Sequence, residues 1–167
     1  MNFKTVFVTV GTTKFDRLIE TITDDNVLEA LNARGYTRLI LQIGKTSLRV
    51  DDTPRCGFFH IEAFGLKPSI REYMHSADLI ISHAGAGSCL EALEAKKPLI
   101  VVSNELLMDN HQLELAEQLY KDKYLFQCTC DTLLDLVKTM DLSLLQFTFH
   151  DRSEKIAQTI DYLMGFT

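Results

Sequence analysis

The run Leu79-Ile80-Ile81-Ser82-His83-Ala84-Gly85-Ala86-Gly87-Ser88-Cys89-Leu90-Glu91 constrains this chain more than any other stretch. A short apolar strand ends at Ile81, two glycines and a serine follow, and an apolar-periodic helix opens near Gly87. A strand that turns directly into a helix is half of a βαβ unit, and repeated units of that kind build a parallel sheet. The turn also has a chemistry. The first N–H groups of a helix lack intrahelical partners and sit at the positive end of its dipole, so they form a site for phosphate oxygens. Gly85 and Gly87 have no Cβ to hold a ligand away, and Ser88 adds a hydroxyl in the first turn. Glu91 lies four residues after Gly87 on the same helical face, where a carboxylate can accept hydrogen bonds from two ribose hydroxyls. Leu90 stands where the dinucleotide fingerprint needs its third glycine, which argues against NAD. The motif alone fits a diphosphate turn, and it also fits a plain strand-to-helix turn that needs glycine.

The rest of the chain repeats the pattern. Strand-like segments at Val6–Val10, Arg38–Ile43, Phe58–Ala63, Leu79–Ile81 and Leu99–Val102 alternate with helical ones at Phe15–Ala33, Ser69–Ser76, Ser88–Ala95 and Asn110–Lys121. This order predicts an α/β fold with a single parallel, Rossmann-like sheet covered on both faces, and short strands such as Leu39–Leu41 and Leu99–Val102 are accordingly apolar without alternation. Gly35 closes the first helical region and Pro68 opens the second. Lys45–Gly57 is polar and irregular and is expected to be a mobile surface loop. Residues 1–130 read as the sheet domain. Residues 131–167 read as a helical tail packing on that domain or on a partner, because Leu142–Phe149 is unusually apolar for a tail and Ser153–Met164 is amphipathic.

Composition matters mainly for what it excludes. A chain of 167 residues suits one domain, and a net charge of −6 with thinly spread Lys and Arg excludes nucleic acid or an anionic membrane as the main partner. No apolar run reaches the length of a membrane span, and the N-terminus lacks a signal-peptide pattern, so a cytoplasmic location is expected. Cys56, Cys89, Cys128 and Cys130 lack metal-ligand spacing and read as reduced packing residues, and no D-x-D metal motif occurs.

Ligands of open α/β sheets bind beyond the carboxyl ends of the strands, so the loops there should converge. They carry Gly11-Thr12-Thr13, Phe64-Gly65, the His83 to Glu91 turn, and Asn104 to Gln112. An aromatic followed by a glycine suits stacking on a base and bonding its edge through the backbone. The polar end of the last loop, with His111 and Gln112, suits sugar hydroxyls. Asp109 reads as a helix N-cap.

His83-x-Gly85, then Ser88-x-Leu90-Glu91, then Asp109-Asn110-His111-Gln112 resembles the donor-binding signature of UDP-sugar glycosyltransferases of the GT-B fold, in a domain like the C-terminal domain of glycosyltransferase family 28. Phe7–Asp16, Leu39–Gly44, Ile81–Ser88 and Asn110–Ala116 are similar to the cytosolic donor-binding subunits of two-subunit UDP-N-acetylglucosamine transferases acting on dolichol diphosphate. The resemblance runs from Val6 to Phe126. It implies that Gly85, Gly87 and Ser88 hold the diphosphate, assisted by Gly11, Thr12 and His83. It further implies that Glu91 binds ribose, that Phe64 and Gly65 hold uracil, and that Gln112 with His111 holds the sugar. UDP-GlcNAc would be the donor substrate, with neither cofactor nor metal. A GT-B site needs two domains, so the resemblance also implies a membrane-anchored partner that binds a lipid-linked acceptor and supplies the general base. This chain would be recruited to the cytosolic face of the endoplasmic reticulum and be close to inactive alone. The alternatives are the donor subunit of a bacterial two-chain exopolysaccharide transferase and a non-catalytic UDP-sugar-binding module.

Overall fold

The computed structural model describes residues 3–103 and 117–146. Six strands, β1 (Lys4–Thr9), β2 (Tyr36–Gln42), β3 (His60–Phe64), β4 (Leu79–His83), β5 (Leu99–Ser103) and β6 (Phe126–Thr129), form one sheet in the order β3-β2-β1-β4-β5-β6. Every pairing is parallel. The expected α/β fold with a parallel sheet is therefore the observed one. Strand order reverses between β1 and β4, where Val8 faces Ile81 and Thr9 faces Ser82, and this leaves a crevice beyond their carboxyl ends.

Five helices carry complete bounds: α1 (Asp16–Ile22), α2 (Asp25–Ala33), α3 (Arg71–Ser76), α4 (Ala86–Glu94) and α5 (Leu133–Thr139). Residues 117–121 are also helical. Strand alternation divides the core. Val6, Val8, Leu79, Ile81, Ile100 and Val102 face α1, α2 and α5. Phe7, Ile80, Leu99 and Val101 face α3 and α4 through Met74, Cys89, Ala92 and Leu93. The central strands are buried on both faces, which is why their sequences are continuously apolar.

Several boundaries differ from expectation for local reasons. The helical region Phe15–Ala33 is two helices, because the Thr23 hydroxyl bonds back to the Ile19 carbonyl and the Asp24 carboxylate accepts the Asn26 N–H, starting a new helix. Pro68 precedes α3 by three residues and does not occupy its first position. Lys45–Gly57 contains no helix or strand, yet it is strapped down. Leu48, Val50 and Cys56 pack against the core, and Arg55 donates to the carbonyls of Asp51, Thr53 and Thr23 and to the Asp25 carboxylate. One arginine thus satisfies the carbonyls that regular structure leaves unpaired. In the tail, Leu133, Val137 and Met140 are buried, Arg34 of α2 donates to the Val137 and Met140 carbonyls at the end of α5, and Leu145 is buried while Leu144 is exposed. Residues 147–167 lie outside the described residues. Cys89, Cys128 and Cys130 are free and buried, and burial pushes the Cys89 and Cys128 thiols up to about 12.

Candidate functional site

Three strand ends build the crevice. At the end of β1 the chain enters a tight turn in which Gly11 takes φ +62°, a conformation only glycine adopts at low cost. The turn is pinned from below. The Thr9 hydroxyl accepts the Gly11 N–H at 3.0 Å and donates to the side-chain oxygen of Gln42, and both side chains are buried. Thr13 closes the loop through its N–H and hydroxyl on the Val10 carbonyl. Gly44, after β2, packs beneath it with φ +67°, and any Cβ there would strike the Thr13 carbonyl oxygen. Thr12 at the tip is exposed.

At the end of β4, His83 stands between two of these glycines. A Cβ on Gly11 would lie 2.7 Å from His83 Nε2, and a Cβ on Gly85 would lie 2.7 Å from the same atom and overlap Cε1. Glycine at 11 and 85 is therefore what admits the imidazole. His83 Nε2 is buried and, among the described residues, has no hydrogen-bond partner. Burial lowers its pKa from 6.5 to about 4, so the ring is neutral at pH 7. A buried, unpaired ring nitrogen costs roughly 1–3 kcal/mol, and a ligand oxygen within reach would recover that cost on binding.

Helix α4 begins at Ala86 with Gly85 as N-cap, two residues before the predicted segment Ser88–Ala95, and no side chain caps it. The first intrahelical bond runs from Cys89 N–H to the Gly85 carbonyl, so the N–H groups of Ala86, Gly87 and Ser88 precede it. Gly87 is exposed, and a Cβ placed there would meet no atom within 4 Å. The fold itself does not demand glycine at 87, which separates it from Gly11 and Gly85 and fits a position kept open for a ligand. Glu91 is exposed on the same helix while Cys89, Ala92 and Leu93 point into the core. Gly87, Ser88 and Glu91 thus share the outward side of α4.

Phe64 ends β3, and its carbonyl accepts the Ile43 N–H at 2.9 Å. Its ring lies 4.8 Å from that of Tyr73 in α3 and packs on the same face of the sheet as α4. Gly65 follows it, exposed. His111, Gln112 and Asp109 lie outside the described residues. Among those that are described, the structure brings Gly11, His83 and Gly85 together and sets Phe64 on the α4 side of the sheet. Sequence reasoning did not single out Thr9 and Gln42, a buried polar pair whose signal is a hydroxyl and an amide at the ends of adjacent apolar strands. Nor did it single out Ser103 at the end of β5, whose buried hydroxyl also has no partner among the described residues.

A sequence profile described as the glycosyltransferase family 28 C-terminal domain matches residues 5–162. The chain belongs to that family. A human relative named UDP-N-acetylglucosamine transferase subunit ALG13 is 53% identical over 130 residues, covering 78% of this chain, but the match spans only 11% of the human protein. The protein of the same name from Kluyveromyces lactis is 31% identical over 191 residues, covering 93% of this chain and 97% of its own length. Among solved structures, the NMR structure of ALG13 superposes with TM-score 0.72 at 25% identity, covering 95% of this chain and 96% of that one. Acinetobacter baumannii MurG gives TM-score 0.66 at 18% identity over 99% of this chain and 48% of its own, which shows a shared fold. This family 28 domain therefore corresponds to about half of a GT-B chain. Among the described residues no helix is long and apolar enough to cross a membrane.

Proposed function

We propose that this chain is the donor-binding subunit of a two-subunit UDP-N-acetylglucosamine transferase that adds the second N-acetylglucosamine to GlcNAc-diphospho-dolichol. The observation that carries the reading is the convergence of the Gly11 loop, the Gly85 turn and the unpaired His83 Nε2 at the point where strand order reverses, in a member of a glycosyltransferase family. The relatives named as transferase subunits supply the substrate class and favour this over the bacterial exopolysaccharide reading.

In the proposed reaction an acceptor hydroxyl attacks the anomeric carbon, the bond from that carbon to the diphosphate oxygen breaks, and its electron pair leaves with UDP. The hydroxyl proton passes to a base on the partner, and configuration at the anomeric carbon inverts. This chain's part is to hold the donor and stabilise the departing charge. The N–H groups at the start of α4 and the Gly11 turn face the developing negative charge, work that fixed dipoles do without reorganisation. In this reading they take the place of a metal, and no cofactor is needed because the donor carries its own leaving group. Glu91 holds the ribose, Phe64 and Gly65 the uracil, and His111 with Gln112 the sugar. A membrane-anchored partner presents the lipid-linked acceptor at the cytosolic face of the endoplasmic reticulum, with Leu142–Leu163 contributing to the contact.

The test is reconstitution. The chain co-expressed with a membrane-anchored acceptor subunit should transfer labelled GlcNAc to a GlcNAc-diphospho-lipid, and the chain alone should not. Full activity of the purified single chain on a short lipid acceptor would overturn the two-subunit reading. A complex that forms but transfers no sugar would favour the non-catalytic binding module.

A further inference from the structure

One edge of the sheet carries charges that complement themselves. β3 is an outermost strand, paired only with β2. The Ile43 N–H reaches the Phe64 carbonyl, while the Val10 N–H reaches the Gln42 carbonyl, so odd residues of β2 turn their backbone groups toward β3 and even ones toward β1. Backbone groups alternate sides along a strand. Glu62 and Phe64 therefore face β2, and the N–H and carbonyl groups of Ile61 and Ala63 point outward; among the described residues no backbone group outside the ladder bonds to them. Beside this edge His60 Nε2 and Glu62 Oε1 lie 3.6 Å apart on one face, with side chains 40% and 44% exposed.

We propose that β3 pairs antiparallel with β3 of a second copy of this chain, about a two-fold axis at Ile61. An edge strand with free N–H and carbonyl groups is a template for one more strand, and a two-fold contact sets the same residues against each other. The charges choose the register. With Glu62 on the axis two carboxylates would meet face to face, and with Ala63 on the axis Glu62 would lie against Phe64. With Ile61 on the axis the two Ile61 residues exchange a pair of N–H···O bonds, and His60 of each copy stands opposite Glu62 of the other, where Cα atoms approach to about 4.5 Å. Imidazole and carboxylate then alternate around the axis on one face, and an imidazole N–H donates to a carboxylate whether the ring is neutral or protonated. Phe59, 49% exposed with its ring 4.9 Å from that of the exposed Phe3, comes opposite Ala63 of the second copy, a large residue against a small one. The crevice between β1 and β4 lies two strands in from this edge. The pairing does not depend on what the crevice binds.

The experiment is sedimentation velocity on the 167-residue chain over about 5 to 500 μM, a range suited to a weak contact. The wild type should show a dimer that grows with concentration. His60→Glu sets carboxylates against each other and Glu62→Lys sets donors against each other, so each single variant should raise the dimer Kd about tenfold or more. The double variant His60→Glu, Glu62→Lys restores the alternation with the signs exchanged and should dimerise at least as well as the wild type. With Glu62 on the axis the double variant would instead face lysine with lysine and stay monomeric. Thermal melts of the three variants should stay close to the wild type, since both side chains are half-exposed, and the wild-type concentration series is decisive without any variant. A wild type that remains monomeric throughout, a dimer indifferent to both single changes, or a double variant that fails to dimerise would each overturn the inference.

Discussion

Replacing Gly85 with alanine isolates the contact on which the site's geometry rests. Gly85 has φ −74° and ψ 131°, a conformation open to any residue, so the substitution introduces no backbone strain. What it introduces is a methyl group 2.7 Å from His83 Nε2, 3.2 Å from Nδ1 and overlapping Cε1. Gly11 also lies close to the imidazole, since a Cβ added there would stand 2.7 Å from the same Nε2. Overpacking of this kind costs about 1–3 kcal/mol, and loss of glycine at a helix N-cap adds a few tenths to about 1 kcal/mol. Gly85→Ala should therefore lower unfolding free energy in urea by about 1–4 kcal/mol. In a His83→Ala background the overlap is gone and only the cap remains, so the same change should cost about 1 kcal/mol or less. The difference, about 1–3 kcal/mol, is the coupling between residues 83 and 85. Equal cost in the two backgrounds would show that the imidazole is not wedged between these glycines, and would remove the ground for a convergent site.

Other substitutions probe the ligand side. Glu91→Ala, at an exposed position, should leave the melting temperature within a degree or two yet weaken UDP-sugar binding ~10–100-fold, the worth of hydrogen bonds to a carboxylate; unchanged binding would take Glu91 out of the nucleotide site. Gly87→Val should impair UDP binding more than Ser88→Ala, because the valine fills open space at the helix start while the serine is one donor among several; equal affinities would deny the close backbone approach. His83, held near 4 in the fold against 6.5 unfolded, lets the unfolded chain bind more protons between those values, so folding stability should fall as pH drops from about 6.5 to 4, by at most about 3 kcal/mol. His83→Gln should flatten that slope in urea titrations at pH 7, 6 and 5, and parallel curves for the two proteins would contradict the assignment. Arg34→Ala, which strips two donors from the α5 carbonyls, should cost about 2–3 kcal/mol without touching UDP affinity, since it lies at the opposite end of the sheet from the crevice.

The fold was readable because its signals are periodic and local. Four of the six strands, β1, β2, β4 and β5, hold continuous apolar runs such as Leu39–Leu41 and Leu99–Val102, and the turn from β4 into α4 is marked by residues whose conformational freedom is itself the signal. The break at Thr23–Asp24 was missed because the apolar period continues through it, and the hydroxyl and carboxylate that divide α1 from α2 act through single hydrogen bonds. The strapping of Lys45–Gly57 was invisible because Arg55 reaches residues 32 positions away in sequence. At the site, glycines 11, 85 and 87 were legible as a class, but their different duties were not. Gly11 and Gly85 make room for an imidazole, Gly87 for nothing the described residues supply, and only three-dimensional placement separates the two.

The most direct test of the central claim is a titration of the isolated 167-residue chain with UDP-GlcNAc, UDP-glucose and GDP-mannose, followed by calorimetry and by amide chemical shifts. The account predicts saturable binding of UDP-GlcNAc, weaker or no binding of GDP-mannose, and shifts concentrated at Gly11, Thr12, Phe64, Gly65, His83 and Gly85 to Glu91. Shifts that saturate elsewhere on the sheet, or equal affinity for all three sugar nucleotides, would contradict it.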